Sequence, residues 1–189
     1  MVAYLATDGS SVPDKETIID NNYISAGGYI ISVYECNRHL YDLEDVKYIG
    51  RTTNQIAELY GLIAGLESII KNKLDEMCQI IIIVDSDFIR KSVLKRKLDI
   101  KRKKTKYDNL LDKAFVLFDS LKNGALIFKI KSHINESNMY IAFEKFKSDN
   151  RVTCSFNSFK LVKNLNERAD ENVGIVTRYI KERLLKNES

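Results

Sequence analysis

The most constraining stretch of the chain is Ile80-Ile81-Ile82-Ile83-Val84, which runs directly into Asp85. Consecutive β-branched residues with no polar alternation predict a strand buried on both faces. Such a strand needs helices above and below it, so the run predicts an α/β architecture. The flanking patterns agree. Ile56, Leu59, Tyr60, Ile63, Leu66, Ile69 and Ile70 recur at three and four, the period of an amphipathic helix. Thr52 or Thr53 can cap its start, and Asn72-Lys73 is its exit. Beyond the aliphatic run, a helix is expected from Ser86 into a basic stretch, and another from Tyr107 to Leu121, stopped by Asn123-Gly124. Ala125 to Lys131 reads as a further strand.

The amino-terminal part is expected to be an antiparallel meander: a short strand over 2–7, a polar loop over 12–25, a strand over Ala26–Tyr34, a turn near Cys36-Asn37-Arg38, and a third strand over 39–50. Towards the other end, Met139, Ala142, Phe143 and Phe146 have helical spacing, while Arg151 to Val162 reads as one or two short strands. A last helix is expected over 166–186, with Val173, Val176, Tyr179, Ile180 and Leu184 on one face. The expectation is a five-stranded mixed sheet flanked by helices, one domain over 1–189, with an inserted segment, 134–163, before the last helix.

Composition narrows the class. With 44% apolar and 30% charged residues, a single proline and no tryptophan, the chain can bury a core and is not a low-complexity polymer. No apolar run approaches the ~20 residues of a membrane helix, and the amino terminus lacks the pattern of a secretory signal. Cys36, Cys78 and Cys154 are odd in number and far apart, which suits a reducing compartment. A cytoplasmic protein, monomeric, with no membrane partner and no organic cofactor, is expected. The net charge of +4 conceals a cluster: eight Lys or Arg and one acid, Asp99, lie between Lys95 and Lys106. A solvated helix face and a patch for a polyanion both fit this run.

Four acids fall where element ends would bring them together: Asp8 after the first strand, Glu58 one turn into the first helix, Asp85 after the aliphatic strand, and Asp170 in the first turn of the last helix. Taken singly, Asp8 is a turn former, Glu58 a solvated helix residue, and Asp170 a residue favoured at a helix N-terminus. Only Asp85, closing an aliphatic strand, stands out alone. Taken together, crowded carboxylates persist only if protonated or bridged by divalent cations, and hard oxygen ligands suit Mg²⁺ or Mn²⁺.

The segments Thr7-Asp8-Gly9-Ser10-Ser11, Arg51-Thr52-Thr53-Asn54-Gln55-Ile56-Ala57-Glu58-Leu59, Ile82-Ile83-Val84-Asp85-Ser86 and Asn166-Glu167-Arg168-Ala169-Asp170 resemble the four signature blocks of type 1 ribonuclease H, in the family's order. The resemblance covers most of the chain outside 134–163. It implies a ribonuclease H-like fold and an endonuclease that hydrolyses the RNA strand of RNA–DNA hybrids, leaving 5′-phosphate products; the alternative is a catalytically silent nucleic-acid-binding member of the fold, or another nuclease of the same superfamily. It also implies two ions of Mg²⁺ or Mn²⁺ held by Asp8, Glu58, Asp85 and Asp170. Asn54 and Gln55, with backbone groups at Gly9 and Ser10, would read the RNA strand. Arg51 and Thr53 would bind a phosphate of the DNA strand. Two departures are visible. The basic run, with Lys101, Arg102, Lys103 and Lys104, lacks the tryptophans of the family's large basic protrusion, which makes it a candidate for a shortened one. His133 matches the histidine that follows the fifth strand in many relatives, but thirty-seven positions separate it from Asp170. Either 134–163 is inserted, the preferred alignment, or the fifth strand is Phe156–Val162 and that histidine is lacking.

Overall fold

The computed structural model describes residues 1–13, 23–96 and 107–187. Strands β1 (Val2–Pro13), β2 (Tyr23–Glu35) and β3 (Arg38–Arg51) form the antiparallel meander. Cys36 and Asn37 join β2 to β3 with φ of 47° and 65°, the left-handed pair that a two-residue hairpin turn requires. Strand β4 (Gln79–Val84) pairs parallel to β1, and β5 (Ala125–Lys129) parallel to β4, giving the order β3-β2-β1-β4-β5. This is the five-stranded mixed sheet anticipated above.

Both faces of the sheet are covered, as the aliphatic run demanded. Ile80, Ile82 and Val84 pack with Ala3 and Leu5 beneath α1 (Asn54–Lys71), α3 (Asp87–Arg96) and α4 (Asp108–Asp119). Ile81 and Ile83 face the other way, with Tyr4 and Ala6, towards α5 (Met139–Asn150) and α6 (Phe156–Asn187). The alternation is that of a strand whose successive side chains serve two cores. A single-turn helix, α2 (Leu74–Met77), follows the left-handed Lys73 at the exit of α1 and was not anticipated. Among the described residues, no helix is long and apolar enough to cross a membrane.

Two sequence expectations are corrected. The first strand does not stop at residue 7: β1 continues to Pro13, paired to Tyr23 at the start of β2. Cross-strand pairing overrides the weak strand propensity of Gly9-Ser10-Ser11, so part of the expected 12–25 loop is sheet. The second correction is larger. Arg151–Val162 forms no strand, and Phe156–Val162 is the start of a helix 32 residues long. The Ser155 hydroxyl accepts the Ser158 N–H at 3.0 Å, an N-cap bond. Phe159, fully buried, then meets Phe143, Phe146 and Phe156 at centroid distances of 5.5, 5.4 and 6.2 Å. The fifth strand is therefore β5, which leads to His133, and α5 belongs to the segment between that histidine and α6.

Helix α5 also covers the last residue of the β5 edge of the sheet. The Lys129 N–H donates to Asn150 Oδ1, and Asn150 Nδ2 donates back to the Lys129 carbonyl, each at 2.8 Å.

Candidate active site

Strand β1 outruns β4: their pairing ends at Ala6–Ile83, while β1 continues against β2, with Asp8 opposite Gly28. Asp8 therefore stands beside the end of β4, where Asp85 follows Val84. Helix α1 approaches this point through glycines. A Cβ on Gly9 would lie 2.2 Å from the Glu58 nitrogen, and one on Gly61 would lie 2.7 Å from the Asp8 carbonyl oxygen. Only glycine permits that approach, and it brings Glu58 to Asp8. One carboxylate oxygen from each of Asp8, Glu58 and Asp85 lies within 4.8 Å of the others.

Asp170 joins them from α6. It does not occupy the first turn expected of it; it lies near the middle of the helix, so stabilisation at a helix N-terminus does not explain it. Its carboxyl acts on Asp8, helping to raise that group's pKa. Each acid is thus delivered by a different element.

The electrostatics are those of an uncompensated cluster. Burial, the Asp85 charge and Asp170 push the Asp8 carboxyl up to about 8, against a single lowering bond from the Gly9 N–H at 2.7 Å. Burial also raises Glu58, with a contribution from Asp85, while Ser86 and Asn54 act to lower it. Asn54 Nδ2 donates to Glu58 Oε1 at 2.9 Å. Glu58 Oε2 is buried without a hydrogen-bond partner of normal geometry, although Ser86 stands near it. No Lys or Arg pairs with Asp8, Glu58 or Asp85 among the described residues. An oxygen-only, anionic donor set with an orphaned carboxylate oxygen fits a divalent cation.

These shifts set a pH dependence. From its ordinary 3.8 to about 8, Asp8 holds a proton in the folded protein that it lacks when unfolded, so cation-free stability falls as pH rises through that window. A cation that displaces this proton should stabilise most at the upper end. Scanning calorimetry with and without Mn²⁺ is expected to show a larger rise in melting temperature at pH 8 than at pH 5. An equal rise at both would mean that Asp8 is not among the ligands.

Two of the other candidates reach the acids directly, Asn54 at Glu58 and His133 at Asp170. Thr53 is the N-cap of α1, its hydroxyl accepting the Ile56 N–H at 3.4 Å, while Arg51, Asn54 and Gln55 are exposed beside it. Ser10 lies on β1, paired with Ala26. His133 is exposed in a left-handed conformation, φ 52°, with Nε2 3.7 Å from Asp170 Oδ2. Lys101, Arg102, Lys103 and Lys104 lie outside the described residues. One site residue escaped the sequence reading: the Ser132 hydroxyl donates to Asp85 Oδ2. The β-ladder leads to it, since the Ile130 N–H still bonds the Val84 carbonyl at 2.9 Å. Its only signal in sequence was adjacency to His133.

Solved structures share this arrangement of elements. The amino-terminal RNase H domain of a Mycobacterium tuberculosis protein, fused to maltose-binding protein, aligns at 22% identity over 74% of this chain and 92% of its own, with a TM-score of 0.51. LC11-RNase H1 in complex with an RNA/DNA hybrid aligns at 21% identity over 78% and 98%, with a TM-score of 0.51. RNase H1 from the halophilic archaeon Halobacterium salinarum aligns at 20% identity over 80% and 100%, with a TM-score of 0.50. The fold is the ribonuclease H-like fold. The sequence itself matches no protein-family model and no curated protein. Within the ribonuclease H-like fold, Asp8, Glu58, Asp85 and Asp170 lie together beside the end of β4, with the start of α1 next to them.

Proposed function

We propose that the protein is a ribonuclease H, hydrolysing the RNA strand of RNA–DNA hybrids to products with 5′-phosphate ends. The observation that carries this reading is the convergence of four carboxylates from four elements, with no pairing lysine or arginine among the described residues. Asp8, Glu58, Asp85 and Asp170 would hold two divalent cations, Mg²⁺ or Mn²⁺, whose chemistry is to lower the pKa of an attacking water and to neutralise the leaving oxygen.

The protein's own part is positioning. The Asn54 amide fixes Glu58 from the exposed start of α1 and, with Gln55, lies where a 2′-hydroxyl can be read. Backbone groups at Gly9 and Ser10 border the same strand. Arg51 and the N-terminus of α1 at Thr53 form a seat for a DNA-strand phosphate. His133, exposed next to Asp170, is placed to pass a proton through Nε2. Lys101, Arg102, Lys103 and Lys104 would add charge contacts to the hybrid's backbone.

The test is a panel of labelled substrates: RNA–DNA hybrid, RNA duplex, DNA duplex and single strands, each with Mg²⁺, Mn²⁺ or chelator. Cleavage confined to the hybrid's RNA strand, and only with cation, is expected. Undiminished cleavage in excess chelator, or preference for another duplex, would overturn the reading.

A further inference from the structure

Ser132 sits at the mouth of the acidic cluster without being part of it. Its half-buried hydroxyl donates to Asp85 Oδ2, and the next residue, His133, turns through φ 52° so that its ring approaches Asp170 instead. Two consecutive residues thus reach two acids that come from different elements, β4 and α6. The left-handed backbone at His133 lets both side chains reach the same cluster, where an extended pair would send them to opposite faces.

Asp85 stands just past the end of β4, where no strand pairing holds it. A short carboxylate there can rotate about two bonds, and its like-charged neighbours favour rotation away from the cluster. The bond from Ser132 opposes that rotation. It occupies Oδ2, and an ionised carboxylate keeps a second oxygen to offer a cation.

We propose that Ser132 is a positioning residue for the cation site, fixing Asp85 in the orientation that completes the cage. This rests on the reading of the acidic cluster as a cation site, but not on the identity of the nucleic acid. Removing an outer hydrogen bond to a ligating side chain lowers metal affinity by about 10- to 100-fold.

Isothermal titration with Mn²⁺ alone, on the full chain, tests it. Ser132→Ala should weaken Mn²⁺ binding about tenfold or more, and Ser132→Thr, which keeps the hydroxyl, should restore it. In hybrid cleavage, the Ala variant should need more cation for half-maximal rate but approach the wild-type rate at saturation, a split that general loss of structure does not produce. Ser132→Gly removes the hydroxyl by a second route should the Ala variant misfold. Asp85→Asn is the control. If it weakens Mn²⁺ binding while Ser132→Ala and Ser132→Gly leave it at the wild-type value, the positioning role is wrong and the cation site stands. If Asp85→Asn also leaves Mn²⁺ binding unchanged, the cation site itself is wrong. Weakening in Ser132→Ala that Ser132→Thr fails to repair would also overturn the proposal, since the hydroxyl would not be the agent.

Discussion

Asp85→Asn is expected to lower the rate of hybrid cleavage about a thousandfold, because cation-borne charge stabilisation is worth several kcal/mol and each 1.36 kcal/mol is tenfold. The substitution keeps the shape of the side chain, and the new carboxamide oxygen can still accept the Ser132 hydroxyl, so the fold should persist. Binding of the hybrid should also persist, since phosphate contacts made elsewhere dominate affinity. Without cation the variant should melt higher than wild type, because one of the charges crowding Asp8 is gone. Single-turnover cleavage, hybrid binding and a melting curve check the three parts separately. A variant that turns over at the wild-type rate would remove Asp85 from the site.

The second large effect lies in the core. Phe159→Ala should destabilise the protein by about 3–5 kcal/mol, the range for deleting a buried aromatic ring. For a chain of this length that corresponds to a fall in melting temperature of roughly ten degrees. The ring, on α6, is fully buried against α5 and the sheet. Ile141→Ala, on the exposed side of α5, is the comparison and should change stability by at most about 0.5 kcal/mol. Similar melting curves for both variants would mean that the start of α6 is not packed as described.

That region is also where sequence and structure part. The aliphatic run at 80–84 could be read as a central strand because no other element accommodates it. The helical stripe from Ile56 was equally plain, and with those two elements came Glu58 and Asp85. The residues around Phe156 carried two messages. Phe and Val favour strands when each residue is weighed singly, yet Phe156, Phe159 and Val162 repeat every three residues and continue to Leu165, Ala169 and Val173. Ser155, an N-cap, opens that series. Weighing propensity over period hid a long helix and moved its expected start ten residues too late, which set Asp170 in a first turn it does not occupy. Ser132 was illegible for a different reason. A hydroxyl's partner depends on which strand lies next to β5, and only the assembled sheet shows that it is β4.

The carboxamide of Asn150 does for the last peptide of β5 what a sixth strand would do. Strand borders with open donors and acceptors are templates for a neighbouring molecule, and they are a common seed of association on warming or concentration. Here the Lys129 amide and carbonyl are both engaged, and the same side chain is tied to its own helix through the Phe146 carbonyl. One side-chain amide thus blunts the border at its last residue, the point from which an incoming strand would extend the ladder past β5.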